Sequence, residues 1–308
     1  MWRILIGHKP QGLAWIVLSG FLLFFPWGTL PAPQHHFGSA FPEAWLNTLP
    51  AYQWLSALLN LSFSLLLGFL FHGLLIRLNV YERTTYFPVF FIVWITGSLS
   101  DGHFYWVQWF SALCICLSCY GLLQAPGNER KPGATFQGGL FLGIAQFGLW
   151  ASLVFTPLFV LGLLWNGKTN GKALLGFLLG NILPWLYLVT AWTFTWENPQ
   201  EISLTVGQVL DFSPSFSLES LWLWALPLWW LCLSIASFLD FTALQSGHRS
   251  IERQFSRWFA LFFLGGLFSA YLHPSGFFHQ LHWLALPLAL FFSFYFLRIK
   301  KDKIGNIW

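Results

Sequence analysis

Long apolar stretches, one of them reaching from residue 52 to residue 78, constrain this chain more than any other feature of its sequence. Inside a bilayer no water is available to bond a bare N–H or C=O, so a spanning segment must satisfy its backbone internally. A hydrocarbon core about 30 Å thick takes about 20 residues of α-helix to cross. Measured against that length, the sequence offers ten candidate spans: 11–30, 52–78, 85–100, 103–125, 135–149, 152–166, 173–195, 219–240, 258–272 and 281–298. Polar or Gly- and Pro-containing breaks separate them, as expected where helices end. The expected fold is therefore an all-α polytopic bundle forming a single transmembrane domain over 1–308.

Composition agrees. Hydrophobic residues make up 56% of the chain and charged residues 8%, against about 25% charged in a soluble domain. So few charges cannot cover the surface of a soluble protein of this size. A nucleic-acid binder, a disordered chain and a secreted disulfide scaffold are all excluded. Cys114, Cys116, Cys119 and Cys232 lie inside apolar runs, so they imply no disulfide framework.

Basic residues stay on the cytoplasmic side of a membrane protein. Ten alternating spans with the N-terminus inside put Arg3, Lys9, Arg77, Arg83, Arg130, Lys131, Lys168 and Lys172 inside. Arg249, Arg253, Arg257, Arg298, Lys300, Lys301 and Lys303 join them, which accounts for all 15 Lys and Arg. Both termini are then cytoplasmic. Glu43, Asp101, Glu197, Glu201, Asp211 and Glu219 face out. The net charge of +4 reflects this topology.

Residues 135–166 form a short-armed helical hairpin, with its turn near Trp150–Pro157. It either crosses twice or re-enters from the cytoplasmic side, and the charge tally is the same for both. The first span resembles an uncleaved anchor, because its apolar run exceeds a signal h-region. Trp27, Trp45, Trp54, Trp106, Trp109, Trp192, Trp196, Trp222 and Trp283 fall near the outer boundary, where an interfacial belt is expected. The prolines of six spans show no half-to-half symmetry, so an inverted-repeat transporter has no warrant.

Gly139 and Gly143, and Gly176 and Gly180, are G-x-x-x-G pairs. That spacing puts two glycines on one helix face and lets backbones approach closely. It predicts packing of the fifth span on the seventh. Asn60 and Ser64 share a face of the second span, and His72 lies further along it. Gln108, Gln146 and Asn181 occupy other spans. Interhelical hydrogen bonding is their expected role, although ionisable groups such as His72 are functional candidates by default.

The remaining chemistry is confined to the outer side. His35, His36, His103, His279 and His282, with Asp101, form a candidate metal cluster if separate segments converge. The Cys114–Cys119 trio lies within a span, where free Cys behaves as a small hydrophobe. Glu43 is the first-loop carboxylate. With Asp101 and His103 it is the candidate catalytic set if the chain is an enzyme. No phosphate-cradling Gly loop or nucleophile–base motif is present, and no cofactor is expected.

Several local patterns carry a resemblance. They are Asn79 with Arg83-Thr84-Thr85-Tyr86-Phe87-Pro88, Phe136-x-Gly138-Gly139 with Gly143-Ile144-Ala145, Gly180-Asn181-Ile182-Leu183-Pro184, and Pro287-Leu288-Ala289-Leu290 with Tyr295-Phe296 and a basic tail. From about residue 50 onward the chain resembles an uncharacterised family of multi-pass inner-membrane proteins of Bacteroidota, known as a domain of unknown function. Automatic labels sometimes call members carotene oxygenases, but no ordered histidine pattern here matches that label. The family supplies no catalytic residues. The run Phe136–Pro184 is also similar to membrane glycosyltransferases that use lipid-linked sugars, which typically place an acidic residue in the first outer loop. Here Glu43 stands there without an adjacent Asp.

The expected function is a non-catalytic integral subunit or scaffold of an inner-membrane cell-envelope assembly serving secretion, gliding motility or surface polysaccharide. The alternative is a lipid-linked-sugar glycosyltransferase-like enzyme, or a lipid or small-molecule transporter, acting at the outer interface. Expected partners are membrane lipids and other inner-membrane proteins, and no nucleic acid.

Overall fold

The computed structural model describes residues 10–24, 52–78, 80, 85–98, 106–123, 132–148, 150–165, 171–195, 235, 258–268 and 277–304. Helices dominate, and no strand occurs among the described residues. In chain order they are α1 (Pro10–Phe24), α2 (Tyr52–Arg77), α3 (Phe87–Ser98), α4 (Trp106–Leu123) and α5 (Pro132–Gly148). A 3-10 turn (Trp150–Val154) leads into α6 (Phe155–Trp165), followed by α7 (Gly171–Thr195), α8 (Trp258–Phe268) and α9 (Phe277–Ile304).

Local chemistry sets several of these bounds. Pro10 and Pro132 open α1 and α5, where a missing N–H costs nothing and the fixed φ suits a helix. Thr85 stands before α3, and its Oγ1 accepts the Phe87 N–H at 3.3 Å. Arg77 ends α2, with its charge beside the exposed carbonyls. Among the described residues three helices are long and apolar enough to cross a membrane: Trp54–Arg77 in α2, Trp106–Leu123 in α4 and Gly171–Thr190 in α7. The other described apolar helices are shorter.

Contacts divide the chain into two compact units. One comprises Met1–Trp109, Trp222–His248 and Ala285–Trp308. The other comprises Phe110–Leu221 and Arg249–Leu284.

In the first unit α3 is the centre. Its 12 residues make a helix about 18 Å long, and Phe87 through Val93 are all buried. A helix that is apolar all round belongs in a protein core or in a membrane, and three described helices pack against it. A Cβ on Gly20 of α1 would lie 2.7 Å from Val93 Cγ1, and one on Gly97 of α3 would lie 2.9 Å from Leu23 Cβ. A Cβ on Gly68 of α2 would lie 3.3 Å from the Val89 backbone. These glycines let the helices close. The pairings 20 with 93 and 23 with 97 make α1 and α3 parallel. Gly68 with Val89 and Ser64 with Thr96 make α2 antiparallel to α3. From α9, Phe292 meets Phe91 edge-on at 5.5 Å and Phe296 stacks on it at 5.4 Å.

In the second unit α4 runs antiparallel to α5, because Ser111 bonds Ala145 and Ser118 bonds Gly138. Helices α5 and α7 form the most extensive described pair. Gly139 faces Phe177 and Asn181, Gly143 faces Asn181 and Pro184, and Gly180 faces Phe136 and Leu140. Both helices advance together through these pairings, so they are parallel. Helix α6 packs antiparallel on α8: Gly162 lies against Trp258, while Gly265 lies against Phe155 and Leu158. The Phe155 ring sits 4.9 Å from Phe262 and 5.5 Å from Trp283.

Two sequence expectations meet the structure here. Within 135–166 the two arms are α5 and the 3-10 turn plus α6, each about 26 Å long. They do not pack extensively on each other. Helix α5 packs on α7 and α6 on α8, because their glycines match those partners. Trp109 and Trp283, expected near the outer boundary, are buried among the helices, at 1% and 0% exposed. Trp109 is drawn inward by a hydrogen bond and Trp283 by aromatic packing, whereas Trp54 is exposed.

Candidate functional site

Polar side chains inside these apolar helices are the features with chemical potential. The largest group joins three elements of the second unit. From α5, Gln146 is fully buried. Its Oε1 accepts the Trp185 indole N–H at 2.8 Å, and its Nε2 donates to Thr156 Oγ1 at 2.6 Å. Asn181 Nδ2 of α7 donates to the same Thr156 oxygen at 2.9 Å. An indole can only donate, so Trp185 fixes the direction of the Gln146 amide, and the amide in turn makes Thr156 an acceptor. Thr156 is placed there because the 3-10 turn ends at Val154 and α6 begins at Phe155. Pro157 follows in the first turn, where a missing N–H is tolerated.

The first unit holds two smaller contacts. Trp109 Nε1 donates to Asn60 Oδ1 at 2.8 Å, with the Phe63 ring 6.3 Å from the Trp109 ring. Ser64 and Thr96 hydroxyls lie 2.8 Å apart. Thr96 gives its own proton to the Ile92 carbonyl at 2.7 Å. A hydroxyl has one proton, so Ser64 is the donor to Thr96. His72 is buried, with its ring 5.5 Å from Tyr86. Gln108 is buried on α4, and its Oε1 has no hydrogen-bond partner among the described residues.

Ser111 and Ser118 of α4 donate to the Ala145 and Gly138 carbonyls of α5 at 2.9 and 2.7 Å. Such bonds between helices contribute about 0.6 kcal/mol each in membranes, and up to about 1.7.

Of the outward candidates, Glu43, Asp101, His103, His35 and His36 lie outside the described residues. His279 falls within α9, and His282 is half-buried there. Among the described residues no three His, Cys, Asp or Glu side chains come close enough together to hold a metal. Cys114, Cys116 and Cys119 are buried free thiols on α4, and Cys232 lies outside the described residues. Gly139, Gly143 and Gly180 are buried in the α5–α7 contact, and Gly176 is half-buried.

Sequence reasoning singled out Asn60, Ser64, Gln146 and Asn181 but not their partners Trp109, Thr96, Trp185 and Thr156. The available signal was the indole N–H, which needs an acceptor once the ring is buried. The amides, indoles and aliphatic hydroxyls assembled here have no pKa near neutrality. What the arrangement does is tie helices together.

Comparison with family models, with curated proteins and with solved structures finds no match to this chain.

Proposed function

We propose that this chain is a ten-span protein of a bacterial inner membrane, both termini cytoplasmic, that serves as a non-catalytic subunit or scaffold of a cell-envelope assembly. The observation that carries the subunit reading is how the polar groups are used. Asn60, Ser64, Gln146 and Asn181 commit hydrogen bonds to other helices. Such bonds hold a bundle in one shape, which is what a scaffold needs. The resemblance to the Bacteroidota inner-membrane family supports the envelope setting.

Helix directions support the alternating topology. Spans an even number apart should run the same way, as α1 with α3 and α5 with α7 do. Spans an odd number apart should oppose, as α2 with α3 and α4 with α5 do, and as α6 does with α8, the sixth and ninth candidate spans. With α5 and α7 parallel, α6 must return between them. Helix α8 opposes α6, so it runs the same way as α7. The candidate span at 219–240 supplies the return crossing this requires.

Purification of the intact chain in mild detergent, followed by mass spectrometry of co-purifying material, tests the reading. The expected result is one or more membrane proteins in fixed stoichiometry. A chain that purifies alone with a bound polyprenyl-linked lipid would replace the subunit reading with the enzyme one.

A further inference from the structure

We propose that α7 is a two-part helix hinged at Gly180–Pro184, and that the Trp185–Gln146 hydrogen bond is the latch that holds its second half in place. This is independent of the subunit reading. Pro184 lies inside α7. A proline at that position offers no N–H to the carbonyl four residues back, here Gly180, and its ring crowds that carbonyl. The helix therefore loses one rung where Gly180 also lacks a side chain to stiffen it.

The two sides of this joint are held differently. Before it, the backbone is fixed against α5. Gly180 faces the Phe136 carbonyl and the Leu140 backbone, and Gly139 faces the Phe177 carbonyl. A Cβ on Gly143 would sit 2.5 Å from Asn181 O and 3.0 Å from Pro184 Cγ. Pro184 thus faces α5. Relief of the contact between ring and carbonyl opens the helix on that face, which tilts the second half away from α5.

Beyond the joint, Leu186, Tyr187, Val189 and Thr190 are exposed, Tyr187 at 76%. Thr190 Oγ1 bonds within its own helix, to Leu186 O at 3.0 Å and Tyr187 O at 2.8 Å. These four side chains face away from α5 and α6. Trp185 connects the second half back to α5, through its indole N–H on Gln146 Oε1 and its ring 5.0 Å from Phe147.

The same Gln146–Thr156 pair grips both sides of the proline. Asn181, three residues before it, bonds Thr156, and Trp185, directly after it, bonds Gln146. A group that competes for Gln146 Oε1 therefore loosens the second half of α7 at this bond, while Asn181 keeps the first half bonded to Thr156.

Nitroxides attached through keto residues at the exposed positions 175 and 189 leave the native cysteines in place. Fourteen residues of helix separate the two sites by about 21 Å, and pulsed electron resonance on the full chain in lipid nanodiscs reads that distance. Trp185→Phe keeps a ring but removes the N–H. Gln146→Met removes the acceptor and leaves the sequence of α7 intact. Both should shift the distribution to shorter distances and broaden it. Adding Pro184→Ala to Trp185→Phe should restore the narrow distribution. A distribution like that of the unsubstituted chain in either single variant overturns the latch. Broadening that survives Pro184→Ala overturns the hinge.

Discussion

Replacing Gly143 by alanine adds one methyl group, at a point where two backbones already touch. The new Cβ would lie 2.5 Å from Asn181 O, 3.0 Å from Pro184 Cγ and 3.2 Å from Asn181 C. A carbon rests about 3.3 Å from a carbonyl oxygen, so α5 and α7 must part by about 0.8 Å. Backbone cannot rotate aside as a side chain can. Overpacking of this kind costs about 1–3 kcal/mol. Parting the helices also loosens the close approach of Gly139 to Phe177 O and of Gly180 to Phe136 O, where a Cα–H contact would be worth about 0.5–1 kcal/mol each. Alanine returns about 1 kcal/mol through its better helix propensity. The net expectation is a destabilisation of about 1–4 kcal/mol. Gly73 on α2 provides the matched control, because a Cβ there meets nothing within 4 Å. Gly73→Ala should be neutral or stabilising by up to about 1 kcal/mol. Thermal unfolding of both variants in one detergent reads the contrast. Gly143→Leu should lower the midpoint further than Gly143→Ala. Were Gly143→Ala to match Gly73→Ala, close backbone contact would not be what holds α5 to α7.

Asn60→Leu strands the buried Trp109 N–H and should cost about 1–3 kcal/mol. A double-mutant cycle with Trp109→Phe should return a coupling of about 0.6–1.7 kcal/mol, and zero coupling would remove the bond from the account. Cys114, Cys116 and Cys119 should resist a polar maleimide in the folded protein and react after denaturation in strong detergent, since all three are buried; fast labelling in the native state would contradict that burial. Cysteines introduced at 126–133 or 166–172 should be reached only from the cytoplasmic side, and labelling from outside would overturn the proposed topology.

The apolar runs determined helical structure without help from tertiary contacts, because backbone groups in hydrocarbon have no other partner. The expected run 52–78 became Tyr52–Arg77 and 173–195 became Gly171–Thr195. Ends were less legible. The expected span 85–100 gave the shorter helix Phe87–Ser98, because the Thr85 cap fixes where it begins. Hydropathy alone also put Trp109 and Trp283 at an interface, because it cannot distinguish a ring facing headgroups from one facing other helices. Of the candidate outward site, Glu43, Asp101, His103, His35 and His36 lie outside the described residues, so its reading still rests on the sequence.

Spacing by itself determined that Gly139 and Gly143 share a face, since three or four residues bring a helix round to the same side. It also determined that Asn60, Ser64, Gln146 and Asn181, set in apolar helices, would seek partners there. Only the tertiary structure decided which partners. Glycine spacing carries no register, and the parallel α5–α7 alignment puts Gly143 against Asn181 and Pro184. That alignment brings Gln146 within reach of Trp185, and the turn at Trp150–Val154 delivers Thr156 to both amides. Hydrogen bonds reach about 3 Å, so residues 10 to 39 apart in sequence meet only when the helices carrying them are already packed.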